Sequence, residues 1–340
     1  MSLALLEPLD ASPLASRAGL ADVETFMQQV AVGRFLDRAG IMVQEHLQSG
    51  GKRVRARLAL AAVEALGSSR HDGIAWGAAV ETLHNATLVH DDIQDGDMLR
   101  RGEPTLWVRH GMPQAINAGD LMLMMPTILL EHLAVSDAVR WNLALALARR
   151  AASTVRGQAE EMALTHSRRM DWKSYLHAVA GKTGQLLALP VEGAALLAGR
   201  TAEQATELGE EFVRLGVIFQ LQDDARDLYA EKGRGRGSDL REGKCSALVV
   251  AHLALHPEDE GWLVDLLLTP RARTTDADID RAITAFRDGG ALHDVLLRIE
   301  RESEAVRTSP VLSREPRLHD VALELCAWMS LRAVSKDPTP

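Results

Sequence analysis

The chain is predicted to be an all-α protein, and three observations carry that prediction. Ala and Leu, both good helix formers, supply much of the apolar content, while aromatic residues make up only 4%. Apolar residues recur at steps of three and four along most of the chain. No stretch shows sustained period-two alternation between turn signals, so no strand is predicted.

The 340 residues show no repeat of fixed period and no linker-like tract, so a single helical domain over residues 21–334 is expected. Residues 1–20 and the tail 335–340 are expected to be loose. The first well-defined helix runs from about Ile74 to Asp95 and ends in VHDDIQD. A second starts at Thr201, where Thr201 and Gln204 form a capping-box pattern. Ala205, Leu208, Phe212, Leu215 and Phe219 then make one apolar stripe, and this helix ends in QLQDDARD. Glycines mark the expected breaks: Gly50-Gly51, Gly102, Gly111, Gly181, Gly184 and the GRGRG run at 233–237.

Composition narrows the function. A net charge of −9 argues against a nucleic-acid binder, whose footprint is usually basic. Two cysteines, Cys245 and Cys326, lie far apart with no CxxC spacing, which disfavours a disulfide framework or a zinc site and fits a reducing compartment. The N-terminus lacks the basic start of a signal peptide, and the longest apolar run, Leu121 to Leu130, holds Pro126 and is too short to span a bilayer. A soluble, cytoplasmic protein without an integral membrane segment is expected.

Asp91, Asp92 and Asp95 form a DDxxD motif, and Asp223, Asp224 and Asp227 repeat it. On a helix, positions i and i+4 lie one above the other, so the outer aspartates of each motif project to one side. Carboxylates this close repel one another without a cation, and hard oxygen ligands suit Mg²⁺. A single such triplet reads as a solvated acidic face; two, each ending an otherwise apolar helix, read as a metal site. Basic residues accompany them: Lys52, Arg53, Arg55 and Arg57 in GGKRVRAR, then Arg100 and Arg101, Lys182 and Lys244. Each alone could be a solvated cation at a helix end. Together they are the cations an acidic protein needs to hold two diphosphates beside metal ions. His84, seven residues before Asp91, shares its helical face. His90 is a poor partner for Mg²⁺ and reads as structural. GRGRG lacks phosphate-loop spacing and reads as a surface loop.

In order, GGKRVR, HNATLVHDDIQD, RRGEPT, AINAGD, GKTG, FQLQDDARD and GSDLREGK resemble the trans-isoprenyl diphosphate synthase (polyprenyl synthetase) family, which includes geranylgeranyl and farnesyl diphosphate synthases. The resemblance runs from around residue 50 to residue 250. It implies a single helical bundle around a deep central cavity, a homodimer, and head-to-tail condensation of isopentenyl diphosphate with an allylic diphosphate. Carried over by motif, Asp91, Asp92, Asp95, Asp223, Asp224 and Asp227 would bind three Mg²⁺, which Mn²⁺ can replace. Arg100, Lys182 and the loop position Arg234 would hold the allylic diphosphate, with Lys182 also counted among the catalytic groups and Lys244 a further substrate contact. Lys52, Arg55, His84 and Arg101 would hold isopentenyl diphosphate, and Thr183 and Gln220 would flank the reacting carbon. Arg234 stands where the family usually has lysine, which keeps the charge and changes the geometry.

Rival readings are a class I terpene cyclase and a non-catalytic subunit of a heteromeric synthase. The first would carry a different second metal motif, and the second tends to lose one aspartate motif; here both are whole. Chain length follows from the helix that pins the diphosphate. Ala86 and Thr87 lie one turn back from Asp91, and in the family small residues there accompany products of twenty carbons or more. Geranylgeranyl diphosphate (C20) is therefore expected. Met122, Met124 and Met125 are the alternative floor of the product pocket.

Overall fold

Helix follows helix through the computed structural model, which describes residues 14, 19–34, 37–229 and 237–329. Helices α1 (Leu20–Arg34), α2 (Arg38–Gln48) and α3 (Val54–Ala65) lead into the long α4 (Arg70–Gln94). Strands β1 (Leu99–Arg100) and β2 (Glu103–Pro104) pair antiparallel, and α5 (Leu106–His110), α6 (Met112–Leu129) and α7 (Asp137–Ala163) follow. Helix α8 (Trp172–Val179) continues through a π-helical turn, Ala180–Gly184, into α9 (Gln185–Leu197), and α10 (Ala202–Tyr229) comes next. The described chain ends with α11 (Ser238–Arg241), α12 (Ala247–Leu255), α13 (Glu260–Leu267), α14 (Asp276–Asp288), α15 (Ala291–Arg307) and α16 (Pro316–Met329).

Helix α4 is the axis of the bundle and packs against α3, α6 and α9, while α10 packs against α9 and α15. It starts four residues earlier than its apolar pattern suggests, because the Ser69 side chain caps it by accepting from the Asp72 amide. Trp76 is fully buried on α4 and donates its indole N–H to the Pro190 carbonyl at 3.0 Å. The expected capping box is present: the Thr201 amide donates to Gln204 Oε1 at 3.0 Å and the Gln204 amide to Thr201 Oγ1 at 3.3 Å. The stripe below it buries Ala205, Leu208, Phe212 and Leu215, whereas Phe219 faces a cavity.

Two expectations need correction. A short hairpin exists where no strand was predicted, because two-residue strands are too short to show alternation. Its turn residues Arg101 (φ 55°) and Gly102 (φ 84°) are both left-handed, the conformation of a type I′ turn. Gly181 and Gly184 do not break the helix; they sit within the π turn that joins α8 to α9. Glycine is needed there for close approach. A Cβ on Gly157 of α7 would lie 2.2 Å from the Lys182 amide nitrogen, and one on Gly216 of α10 would lie 2.5 Å from the Gly184 Cα.

The tail 335–340, Arg234 and most of the segment 1–20 lie outside the described residues. Within that segment Leu14 is described: it is fully buried, and its amide donates to Glu324 at 2.9 Å. Among the described residues, no helix is long and apolar enough to cross a membrane.

Candidate active site

A cavity of about 750 Å³ opens between the C-terminal halves of α4, α7 and α10, the π turn, and the loop leading into α12. Asp91 and Asp95 reach it from α4, Asp223 and Asp224 from α10, and Glu161 from α7. Burial pushes the Asp91 carboxyl above its usual range, against the opposing charge of Lys182. The two aspartate clusters, 128 or more residues apart in sequence, thus share one chamber.

All six aspartates were expected to be ligands, but the geometry divides them. Asp92 does not line the cavity; it is 2% exposed and is gripped by Arg100, whose Nε lies 2.7 Å and 2.9 Å from its two oxygens. That pair ties the hairpin to the end of α4. Asp227 is also turned away, accepting from Ser238 Oγ at 2.6 Å and from the Asp239 amide at 3.1 Å. Asp224 touches the cavity, yet both its oxygens are engaged: Oδ2 accepts from Tyr175 Oη at 2.7 Å and from the Ala247 amide at 2.6 Å, and Oδ1 from Gln220 Nε2 at 2.8 Å. Burial raises its pKa to about 6, partly offset by these three donors. Local spacing could not reveal this division, because the competing donors come from distant elements.

The expected cations are mostly present and held by acids. Lys182 Nζ lies 2.5 Å from Glu161, and Lys244 Nζ lies 2.7 Å from Asp95 and 2.9 Å from Glu242. Although burial works against their charge, these carboxylates hold both lysines above the usual pKa. Arg55 Nη1 meets His84 Nε2 at 3.1 Å, and burial, reinforced by Arg55, keeps the imidazole well below its usual pKa and neutral. Arg101 donates to the Gly50 carbonyl and, at 3.3 Å, to Ser49 Oγ. Among the described residues, Lys52 is the one expected substrate contact that stands off the cavity wall; its ammonium lies 5.4 Å from the Trp328 ring centroid. Thr183 Oγ1 donates to Gln220 Oε1 at 3.1 Å, so that pair does meet at the wall. His90 pairs with Asp120 at 3.3 Å.

The polyprenyl synthetase family profile matches residues 39–286. The chain belongs to that family. A geranylgeranyl pyrophosphate synthase of Geoglobus acetivorans is 33% identical over 291 residues, spanning 84% of this chain and 88% of that protein. A geranylfarnesyl diphosphate synthase of Aeropyrum pernix is 31% identical over 296 residues, spanning 82% and 88%. The crystal structure of a polyprenyl synthetase from Streptomyces coelicolor A3(2) superposes with a TM-score of 0.81 at 26% identity, covering 91% of this chain and 96% of that one. This polyprenyl synthetase is a trans-prenyltransferase with the all-α isoprenyl synthase fold. The names of its relatives differ in product, so kinship alone does not set chain length.

In the synthetase the two chain-length positions part company. Thr87 lies on the cavity wall, its hydroxyl donating to the His84 carbonyl at 2.8 Å, whereas Ala86 is fully buried in the core and off the wall. Across from Thr87, α6 contributes Leu123 rather than a methionine: Met122 and Met125 are buried in the core and Met124 is exposed. Sequence reasoning missed Glu161, Tyr175 and Asp239 on the wall. Asp239 had a signal, as the last residue of the GSD step; Tyr175 had none.

Proposed function

We propose that this synthetase condenses isopentenyl diphosphate with an allylic diphosphate and stops at C20, geranylgeranyl diphosphate. The observation that carries the reading is that both aspartate-bearing helix ends open into one cavity with Lys182 and Lys244 between them. Asp91, Asp95 and Asp223 offer hard oxygen donors aimed into that space, which suits Mg²⁺. Among the described residues no group of three or more His, Cys, Asp or Glu side chains is placed to hold a metal ion, so Mg²⁺ here would draw much of its shell from waters and phosphate oxygens. Three Mg²⁺, or Mn²⁺ in their place, would supply Lewis acidity toward the departing diphosphate.

The chain's own groups do the rest. Lys182 and Lys244 exchange their carboxylate partners for the allylic diphosphate and, with Arg100 still paired to Asp92 on the cavity wall, stabilise the charge it gains on leaving. Arg55, His84 and Arg101 hold isopentenyl diphosphate so that its double bond faces the allylic carbon, and Lys52 would have to leave the Trp328 ring to join them. Leu88, Leu123, Leu186 and Phe219 give the growing tail an apolar wall.

A homodimer in the cytoplasm completes the reading. Trp141, Leu145, Ala148, Ala152, Val155, Ala159 and Met162 follow one another along α7 at steps of four and three, an unbroken apolar seam of heptad spacing. Trp141, Val155 and Met162 are 64%, 58% and 52% exposed, which suits cover by a second copy.

Incubation with isopentenyl diphosphate and labelled C5, C10 and C15 allylic primers, with and without EDTA, tests the reading. The expected result is a C20 product that requires the divalent ion; no condensation, or metal-independent turnover, would overturn it.

A further inference from the structure

We propose that Asp224 is not a metal ligand but the hub of a positioning chain, Tyr175–Asp224–Gln220–Thr183, that fixes which end of the Gln220 amide faces the cavity. The inference rests on the condensation reading above and assigns Tyr175, which that reading leaves without a task.

The two ends of a glutamine amide have nearly the same shape and opposite hydrogen-bonding character. An ionised carboxylate only accepts. With Gln220 Nε2 2.8 Å from Asp224 Oδ1, the amide must therefore direct its NH₂ toward Asp224 and its oxygen toward Thr183. The Thr183 hydroxyl spends its hydrogen on that oxygen at 3.1 Å, which leaves the lone pairs of Thr183 for the cavity. Two oxygens thus turn their negative ends to the place where an allylic cation would form, and no reorganisation is needed when it does.

Asp224 can orient the amide only if it stays put. Tyr175 Oη and the Ala247 amide both donate to its Oδ2, at 2.7 Å and 2.6 Å. Tyr175 is itself 3% exposed and is held edge-on by Trp172, with centroids 5.8 Å apart and planes at 83°. The guanidinium of Arg298 lies 3.7 Å from the Trp172 ring centroid. With three donors on it, Asp224 has little capacity left for a cation.

The test separates ligation from orientation with Tyr175→Phe, Asp224→Asn and Asp223→Asn. Phe removes only the hydroxyl. Asn at 224 would set an NH₂ against Gln220 Nε2 and drive the amide to flip. Mn²⁺ binding in the presence of inorganic diphosphate, followed by electron paramagnetic resonance, should weaken about tenfold or more for Asp223→Asn and stay within about twofold for the other two. For Tyr175→Phe, kcat should fall about tenfold, the scale of one hydrogen bond to a charged group, with KM for both diphosphates within about twofold of wild type. Weakened Mn²⁺ binding in Asp224→Asn, equal to that in Asp223→Asn, would overturn the proposal. A folded Tyr175→Phe enzyme with wild-type kcat would overturn it as well. Failure of the condensation reading would show instead as a wild type that forms no product, while the Mn²⁺ comparison still reports on Asp224.

Discussion

Asp91 carries the reading at the scale of single residues. It lies on the cavity wall, and the charges of Lys182 and Lys244 act on it. Replacing it or Asp223 with Ala should cut turnover by at least about a hundredfold, the scale of losing one preorganised electrostatic element. Steady-state kinetics beside a circular dichroism spectrum checks this, and near-wild-type rates in a folded variant would contradict it. Chain length separates Thr87 from Ala86. Thr87→Phe projects into the cavity and should shift the product from C20 to C15. Ala86→Phe must instead force a ring into a fully buried site, costing about 1–3 kcal/mol of stability. Product chromatography and thermal melts read the two outcomes; an unchanged product from Thr87→Phe would place the floor elsewhere. Asp91, Asp95, His84 and Thr87 were legible in the sequence because helical spacing alone puts them on one face, whereas the same spacing did not reveal that Asp227 turns away. Lys52 was not, because its contact is with Trp328, far along the chain.

Among the elements, the π turn at Ala180–Gly184 decides where Lys182 and Thr183 sit. Its register depends on Gly157 and Gly216, which let α7 and α10 close on its backbone. Gly157→Ala would set a Cβ 2.2 Å from the Lys182 amide nitrogen, against backbone rather than a yielding side chain. The expected cost is about 1–3 kcal/mol in urea unfolding, with a loss of turnover as Lys182 and Thr183 shift. A variant with wild-type stability and rate would show that the turn can absorb the change. In the sequence Gly181 and Gly184 read as helix breaks, because a glycine chosen for close approach and one chosen for a turn are the same letter. The hairpin was hidden for a related reason: its two-residue strands carry no periodicity, and the Asp92–Arg100 pair that secures it joins two elements.

For the whole molecule, the α7 seam predicts assembly. Wild-type enzyme should sediment as a dimer, and Trp141→Glu with Val155→Glu should sediment as a monomer, because charge on both residues cannot be buried unpaired. Val155 and Met162 also line the cavity, so the monomeric variant should lose product-length fidelity as well. A wild type that sediments as a monomer would sink this prediction.

The sequence by itself determined the helical class, the two aspartate-bearing helix ends and the family, because periodicity, caps and motif order are local properties written in consecutive residues. Only the tertiary structure decided which aspartates serve the cavity. Asp92 and Asp227 meet donors from β1 and α11 and stand off the cavity wall, whereas Asp224 lines it while accepting from α8, α10 and the first residue of α12. What a side chain does here depends on what is folded against it, and spacing along one helix cannot encode that.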